Sequence, residues 1–224
     1  MGLEMATKLE MFDELKSDYF DCVRCPLSEL RTQVVFGHGN LDAELMMIGE
    51  APGKDEDLSG KPFMGKAGGK FNSLLKAVGI DRDNIWVSNT CLCRPVSQKK
   101  GKENRAPLVP EVRACLPRLY REISIVRPKI IVLAGNTPLH MATRKRGITK
   151  NRGWQEAKWE GCDFVVERVY ATLHPASLLY GSTEQIKQKR QWIWNDWQEI
   201  AGALSAAKEK REVEGSKKGY SPTS

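Results

Sequence analysis

Histidine is scarce in this chain, with three among 224 residues, and long apolar runs are missing altogether. Nothing approaches the ~20 consecutive apolar residues that a membrane-spanning helix needs. The opening Met1-Gly2-Leu3-Glu4 lacks the basic start and apolar stretch of a secretory signal, and Ala6 stands where a myristoylation motif requires Ser or Thr. These absences set the expectation of a soluble, intracellular, cytoplasmic protein. At 41% hydrophobic residues the composition excludes global disorder. Without a secretion signal, the six cysteines, Cys22, Cys25, Cys91, Cys93, Cys115 and Cys162, are not read as a disulfide framework, and a metal or redox role moves up.

Basic residues are in excess, 35 Lys plus Arg against 28 Asp plus Glu for a net charge of +7. A balance of this size attracts polyanions, most simply nucleic acid. The excess is clustered. Arg144-Lys145-Arg146, Lys150 and Arg152 form an acid-free stretch; Lys99, Lys100, Lys102 and Arg105 form a second; Lys187, Lys189 and Arg190 form a third. Three patches in loops and on a helix favour a surface that tracks phosphates.

Strand and helix patterns alternate along the chain. Leu45–Gly49, Ile85–Asn89, Lys129–Ala134 and Arg168–Leu173 read as four short buried strands. Helices are expected around Phe71, Leu74, Leu75 and Val78, over Pro110–Val126, over Thr137–Thr143 and over Ile186–Leu204. This alternation points to a parallel sheet covered on both faces. One domain over residues 1–205 is expected, followed by a charged, unstructured tail over 206–224.

Three places concentrate the chemistry. In Cys22-Val-Arg-Cys25-Pro26 two thiolates three positions apart can share one metal centre, with Cys115 and either Cys91 or Cys93 as further ligands. Four cysteines suit zinc and a [4Fe–4S] cluster alike. The loop Gly49-Glu50-Ala51-Pro52-Gly53-Lys54-Asp55-Glu56-Asp57 follows the first strand, where open α/β sheets bind ligands. It is not a P-loop, because its glycines are one residue too close and Lys54 is followed by Asp55. His174-Pro175 follows the fourth strand at the same sheet edge, and Asn89 ends the second strand, as a cap or as a base-reading amide. His38 and His140 are read as structural.

Taken together, these residues resemble the uracil-DNA glycosylase superfamily, and most closely its iron–sulfur family 4. The resemblance rests on Cys22-x-x-Cys25-Pro26, Val35-Phe36-Gly37-His38-Gly39 and Gly49-Glu50-Ala51-Pro52-Gly53. It continues with Gly60-Lys61-Pro62-Phe63-Met64-Gly65-Lys66-Ala67-Gly68, Asn89-x-x-x-Cys93-Arg94-Pro95, Ala114-Cys115-x-Pro117 and His174-Pro175-Ala176. It implies a three-layer α/β/α sandwich around a four-stranded parallel sheet of order 2-1-3-4. It also implies a [4Fe–4S] cluster on Cys22, Cys25, Cys93 and Cys115, with Cys93 chosen over Cys91 because it precedes Arg94-Pro95.

The implied activity is excision of uracil from DNA by hydrolysis of the N-glycosidic bond, as a monomer associated in a prokaryote with the nucleoid. By the same resemblance Phe63 stacks on a flipped uracil, and Asn89 reads its O4 and N3–H. Glu56 crowds the methyl of thymine, Glu50, Ala51 and Pro52 line the pocket, and His174 hydrogen-bonds O2. Glu50 or Asp57 positions the water, and Leu178 and Leu179 wedge the base stack. The absence of His from Ser97–Leu108 excludes the covalent sugar capture of a family 4-like offshoot. The competing readings are a family 5-like glycosylase of broader base range and a catalytically weak iron–sulfur DNA-binding module.

Overall fold

The computed structural model describes residues 6–97, 103–157 and 166–218. Its centre is a sheet of strands β1 (His38–Gly39), β2 (Leu45–Gly49), β3 (Trp86–Asn89), β4 (Ile130–Ala134), β5 (Gly153–Gln155) and β6 (Arg168–Thr172), in the order β1-β3-β2-β4-β6-β5. Strands β3, β2, β4 and β6 are mutually parallel, whereas β1 and β5 pair antiparallel at the two edges. The expected four-stranded parallel sheet is thus corrected to a mixed sheet of six. The edge strands span two and three residues, too short for alternation of side chains to show in a sequence.

Every residue of β2 and of β4 is buried, as expected of parallel strands covered on both faces. Helices stand on both sides of the sheet. They are α1 (Lys8–Tyr19), α2 (Lys54–Ser59), α3 (Lys66–Ala77), α4 (Val109–Val126), α5 (Asn136–Thr143) and α6 (Thr183–Lys218). Helix α1 packs on α4 and α3 on α6, with Phe12 set edge-on against Trp86 and Phe71 tilted against Trp197. Helix α1 is absent from the sequence expectation. Its start is written in a capping box, in which the Thr7 hydroxyl accepts the Glu10 N–H and the Glu10 carboxylate accepts the Thr7 N–H.

Helix α6 outruns its expected end at Leu204 and continues to Lys218, so the expected unstructured tail from 206 is helical to that point. Apolar periodicity fades there, but Ala206, Ala207, Lys208, Glu209, Lys210 and Arg211 are all strong helix formers. Residues 219–224 lie outside the described residues, as do Lys99, Lys100 and Lys102 of the basic loop and Cys162.

A fully buried ion pair joins α4 to β3. Arg118 and Glu122, one helical turn apart, are both inaccessible to solvent. Glu122 accepts from Trp86 Nε1 at 2.7 Å and from the Ser88 hydroxyl at 2.9 Å. The Arg118 guanidinium donates to Glu122, to the Asn89 carbonyl at 2.8 Å and to the Thr90 carbonyl at 3.1 Å. Burying two charges is tolerated because they neutralise each other and these partners take every polar atom of the pair except Arg118 Nε, and removing one charge leaves the other stranded. Arg118→Met and Glu122→Leu should each cost about 3–5 kcal/mol in urea unfolding. The double variant should cost less than their sum, since no unpaired charge remains; strictly additive costs would show that the pair is not coupled.

Candidate active site

The loops that follow the parallel strands form a cleft of about 540 Å³ at their carboxyl ends, the edge at which open α/β sheets bind ligands. Strand β2 runs into Glu50, Ala51 and Pro52, β3 ends in Asn89, β4 leads to Gly135-Asn136, and β6 leads to His174; all of these residues line the cleft. Gly49 and Asn89 are register partners. Beyond them the Thr90 N–H and hydroxyl both donate to the Gly49 carbonyl, at 2.9 and 2.8 Å, and the Cys91 N–H donates to the Glu50 carbonyl at 3.1 Å. The two strand ends are therefore held together past the sheet.

Asn89 is 4% exposed. Its carbonyl is held by Arg118, while no group among the described residues hydrogen-bonds its side-chain amide, which opens to the cleft. A buried amide in this condition is a site for a hydrogen-bonding ligand. Phe63 lies beside it. A Cβ on Gly49 would stand 2.4 Å from Asn89 Oδ1 and 2.9 Å from the Phe63 ring, so glycine at this position lets amide and ring close on one spot.

The Phe63 backbone is left-handed, at φ 59°, a conformation that costs a non-glycine residue on the order of 1 kcal/mol or more. Two contacts impose it. The start of α3 presses on the Phe63 carbonyl, 1.6 Å from where a Gly68 Cβ would stand. The Glu56 carboxylate meanwhile binds the Gly53 N–H at 3.0 Å and the Gly65 N–H at 2.9 Å. The Phe63 ring then lies 5.4 Å from both Phe71 and the His174 imidazole.

His174 Nδ1 accepts the Ala176 N–H at 3.1 Å. In the neutral ring the proton must then reside on Nε2, which becomes a donor. Burial pushes the imidazole down to about 4, because protein surrounding the ring disfavours its charged form. His174 is thus a neutral donor at ordinary pH. Across the cleft, Glu50 accepts the Thr137 hydroxyl at 2.5 Å.

The structure brings together Glu50, Ala51, Pro52, Glu56, Phe63, Asn89 and His174. It does not bring Asp57 to the cleft. That side chain is buried and accepts the Thr32 N–H on its two oxygens at 2.9 and 3.1 Å. Neighbours on a helix point about 100° apart, so once Glu56 faces the cleft Asp57 faces elsewhere, and Asp57 braces the 31–33 segment instead. Of the two expected wedge residues, Leu179 lines the cleft and Leu178 packs against the core. The basic third patch has a positioning member: Lys189 Nζ donates to the carbonyls of Ser177 and Tyr180, at 3.1 and 2.8 Å, fixing the turn that carries Leu179.

Five thiols gather beside this cleft, all unpaired. Cys25 is pushed up by burial, with Cys115 and Cys22 near enough to add to the effect. Cys93 is pushed up to about 11 by burial, opposed by the Arg31 guanidinium, which donates to its Sγ at 3.2 Å and to the Cys22 carbonyl. Cys115 is held down to about 5 by a hydrogen bond from the Cys91 thiol, by Arg118 and by the Leu92 N–H. Among the described residues no three His, Cys, Asp or Glu side chains sit closely enough to hold a single metal ion.

Arg118, Glu122 and Arg31 were not singled out in the sequence. An Arg and a Glu four residues apart within an otherwise apolar helix face was the available signal for the first two. Arg31 left none.

A neutral donor, an aromatic ring and an open amide around one cleft define a site for a flat hydrogen-bonding ring such as a nucleobase. The pattern described as the Uracil DNA glycosylase superfamily matches residues 36–198. The type-4 uracil-DNA glycosylase of Thermotoga maritima is 36% identical over 82% of this chain and 91% of its own length. Those of Sulfurisphaera tokodaii and Archaeoglobus fulgidus are 36% and 33% identical, each over 77% of this chain and over 77% and 85% of their own lengths. This chain belongs to the uracil-DNA glycosylase superfamily and, within it, to the type-4 branch.

His174 makes folding stability depend on pH. Its folded pKa of about 4 lies below the ordinary 6.5, so the unfolded chain binds the proton first. Its contribution is complete above 6.5 and is lost as pH falls from there towards 4. Thermal unfolding should therefore show a steeper loss of stability over that window in the wild type than in His174→Gln; parallel profiles would contradict the depressed value.

Proposed function

We propose that this chain is a DNA repair enzyme that flips uracil out of DNA and hydrolyses its N-glycosidic bond, leaving an abasic site. The observation that carries the reading is the open amide of Asn89 set beside Phe63, facing a histidine whose Nδ1 is already engaged. Flipping costs a few kcal/mol of unstacking, and a stack on Phe63 returns roughly 1–3 kcal/mol. The Asn89 amide donates to uracil O4 and accepts from N3–H. Cytosine presents the reverse pattern at both atoms, so a fixed amide rejects it. Arg118 on the Asn89 carbonyl and the absent Cβ of Gly49 support that fixity. Glu56 stands at the cleft wall where it crowds a thymine methyl.

Bond breaking leaves negative charge on the departing base. His174 Nε2–H donates to O2 as this charge grows, and one preorganised donor is worth ~2.7–4 kcal/mol, or about 10²–10³ in rate. Glu50, steadied by Thr137, orients the attacking water. Leu179 enters the space that the base vacates. One chain supplies the whole cleft, which suits a monomer. No helix among the described residues is long and apolar enough to cross a membrane.

We further infer that Cys22, Cys25, Cys93 and Cys115 hold a [4Fe–4S] cluster. The donor set fits: four thiols from three chain segments influence one another's protonation, and Arg31 bridges two of those segments. Hydrolysis moves no electron, so what the group supplies is cohesion between the segments.

Release of uracil from a labelled oligonucleotide, read by alkaline cleavage of the abasic strand, tests the activity. Asn89→Asp should lose most uracil release and gain a trace of cytosine release, with DNA affinity nearly unchanged because phosphate contacts carry it. His174→Ala should slow single-turnover release by about 10²–10³ while still preferring uracil. Relaxed base choice at near-normal speed in His174→Ala would reverse the two roles.

Cys22→Ala and Cys115→Ala should lose bound iron and thermal stability together, and Cys91→Ala should keep its iron. A stable, fully active, iron-free Cys115→Ala protein would remove the cluster assignment.

A further inference from the structure

Helix α4 is apolar on two faces. One covers the sheet through Leu119, Ile123 and Val126. On the other, Val109, Val112, Leu116 and Tyr120 recur at three- and four-residue steps and line a groove of about 710 Å³, with Met141 of α5 in the facing wall. Val109 is 59% exposed, and the next three are half-buried. Single exposed apolar residues are ordinary on a protein surface, but a continuous apolar stripe along a groove marks a binding surface. Its rim is basic. Arg113, Arg144 and Arg146 are exposed, no lining residue is acidic, and no ion pair among the described residues involves these three guanidinium groups.

The charges narrow the occupant. A second copy of this chain would bring its own +7. The C-terminal segment carries Lys208, Lys210, Arg211, Lys217 and Lys218 against Glu209, Glu212 and Glu214, so it too is repelled. Unpaired nucleic acid prefers a row of aromatic platforms, and this floor is mainly aliphatic. An amphipathic peptide, by contrast, lays apolar anchors at i, i+3 or i+4, and i+7 into such a floor, and carboxylates beside those anchors meet the arginine rim.

We propose that the groove between α4 and α5 docks an acidic, amphipathic segment of a partner protein. Its apolar anchors sit over Val109, Val112, Leu116 and Met141, and its carboxylates pair with Arg113, Arg144 and Arg146. The groove adjoins the cleft, since Asn136 lines both and Thr137 of the groove wall holds Glu50. The docked partner is thereby held beside the site without entering it.

The test uses the full chain and a labelled peptide of about fourteen residues, with Leu or Phe at the anchor spacing and Asp or Glu between. Fluorescence anisotropy should show binding that weakens with salt. Val109→Glu and Arg113→Glu should each weaken it about tenfold or more. Neither residue lines the cleft, so uracil release by both variants should match the wild type and report that they are folded. A peptide with Ser at its anchors, or with Lys in place of its acids, should not bind. The proposal is overturned if the acidic amphipathic peptide fails to bind, if either variant binds it normally, or if a uracil-free single strand competes at the groove and loses affinity equally with Arg113→Glu. In that last outcome the rim would be a DNA surface.

Discussion

A guanidinium with no exposed surface has to find partners inside the protein, and Arg118 finds them for both terminal nitrogens on its own helix and at the end of β3. Glu122 neutralises its charge, while the carbonyls of Asn89 and Thr90 take its second nitrogen. Those carbonyls belong to the residue that ends β3 and to the one that ties β3 to β2. The desolvation penalty of a buried charge is severe enough that the guanidinium cannot drift from these partners without stranding them, so the end of β3 is fixed against α4. Arg118 also lies 3.9 Å from Cys115 Sγ. One buried cation thus joins Cys115 to the strand that presents the open amide.

The same economy of freedom runs through the loops. Phe63 accepts a left-handed backbone because Gly68 lets α3 approach its carbonyl and Glu56 anchors the glycines on either side of the turn. The His174 tautomer is set by a neighbouring backbone N–H rather than by a carboxylate. A carboxylate in that place would favour imidazolium, and the ring would then meet a neutral base as a full cation. A backbone N–H orients the ring and leaves it neutral.

Much of this was legible beforehand because the informative residues sit at strand ends. Leu45–Gly49 and Ile130–Ala134 announce strands buried on both faces, and Glu50, Asn89 and His174 each follow or close such a run, so topology alone draws them to one edge. What stayed hidden depends on side-chain direction and on short-range geometry. Asp57 and Glu56 are equally plausible in a linear motif, and only the 100° step of α2 separates the one that reaches the cleft from the one that braces Thr32. Edge strands of two or three residues have no period to detect. The extension of α6 past Leu204 rests on intrinsic propensity instead of apolar pattern, and the ion pair of Arg118 with Glu122 leaves in the sequence only a four-residue spacing that exposed pairs share.

The charge layout explains how a polyanion can use a cleft that contains carboxylates. Glu50, Asp55 and Glu56 all line it, which taken alone would repel phosphate. Two of the three are internally engaged, Glu56 accepting from two backbone N–H groups and Glu50 from the Thr137 hydroxyl, so part of their hydrogen-bonding capacity is taken up inside the protein. Lys54, Lys66 and Arg105 share the cleft lining, and the chain as a whole carries +7, which favours approach of a polyanion. On the proposed function, a nucleotide approaching this surface is sorted by its own parts. Its phosphates are drawn to lysines and away from carboxylates, while its uncharged base meets no such penalty and is offered an aromatic ring, an amide and a neutral imidazole. On the proposed reading, the uncharged base takes the floor of the cleft beside the engaged carboxylates, while the phosphates stay with the lysines of the lining.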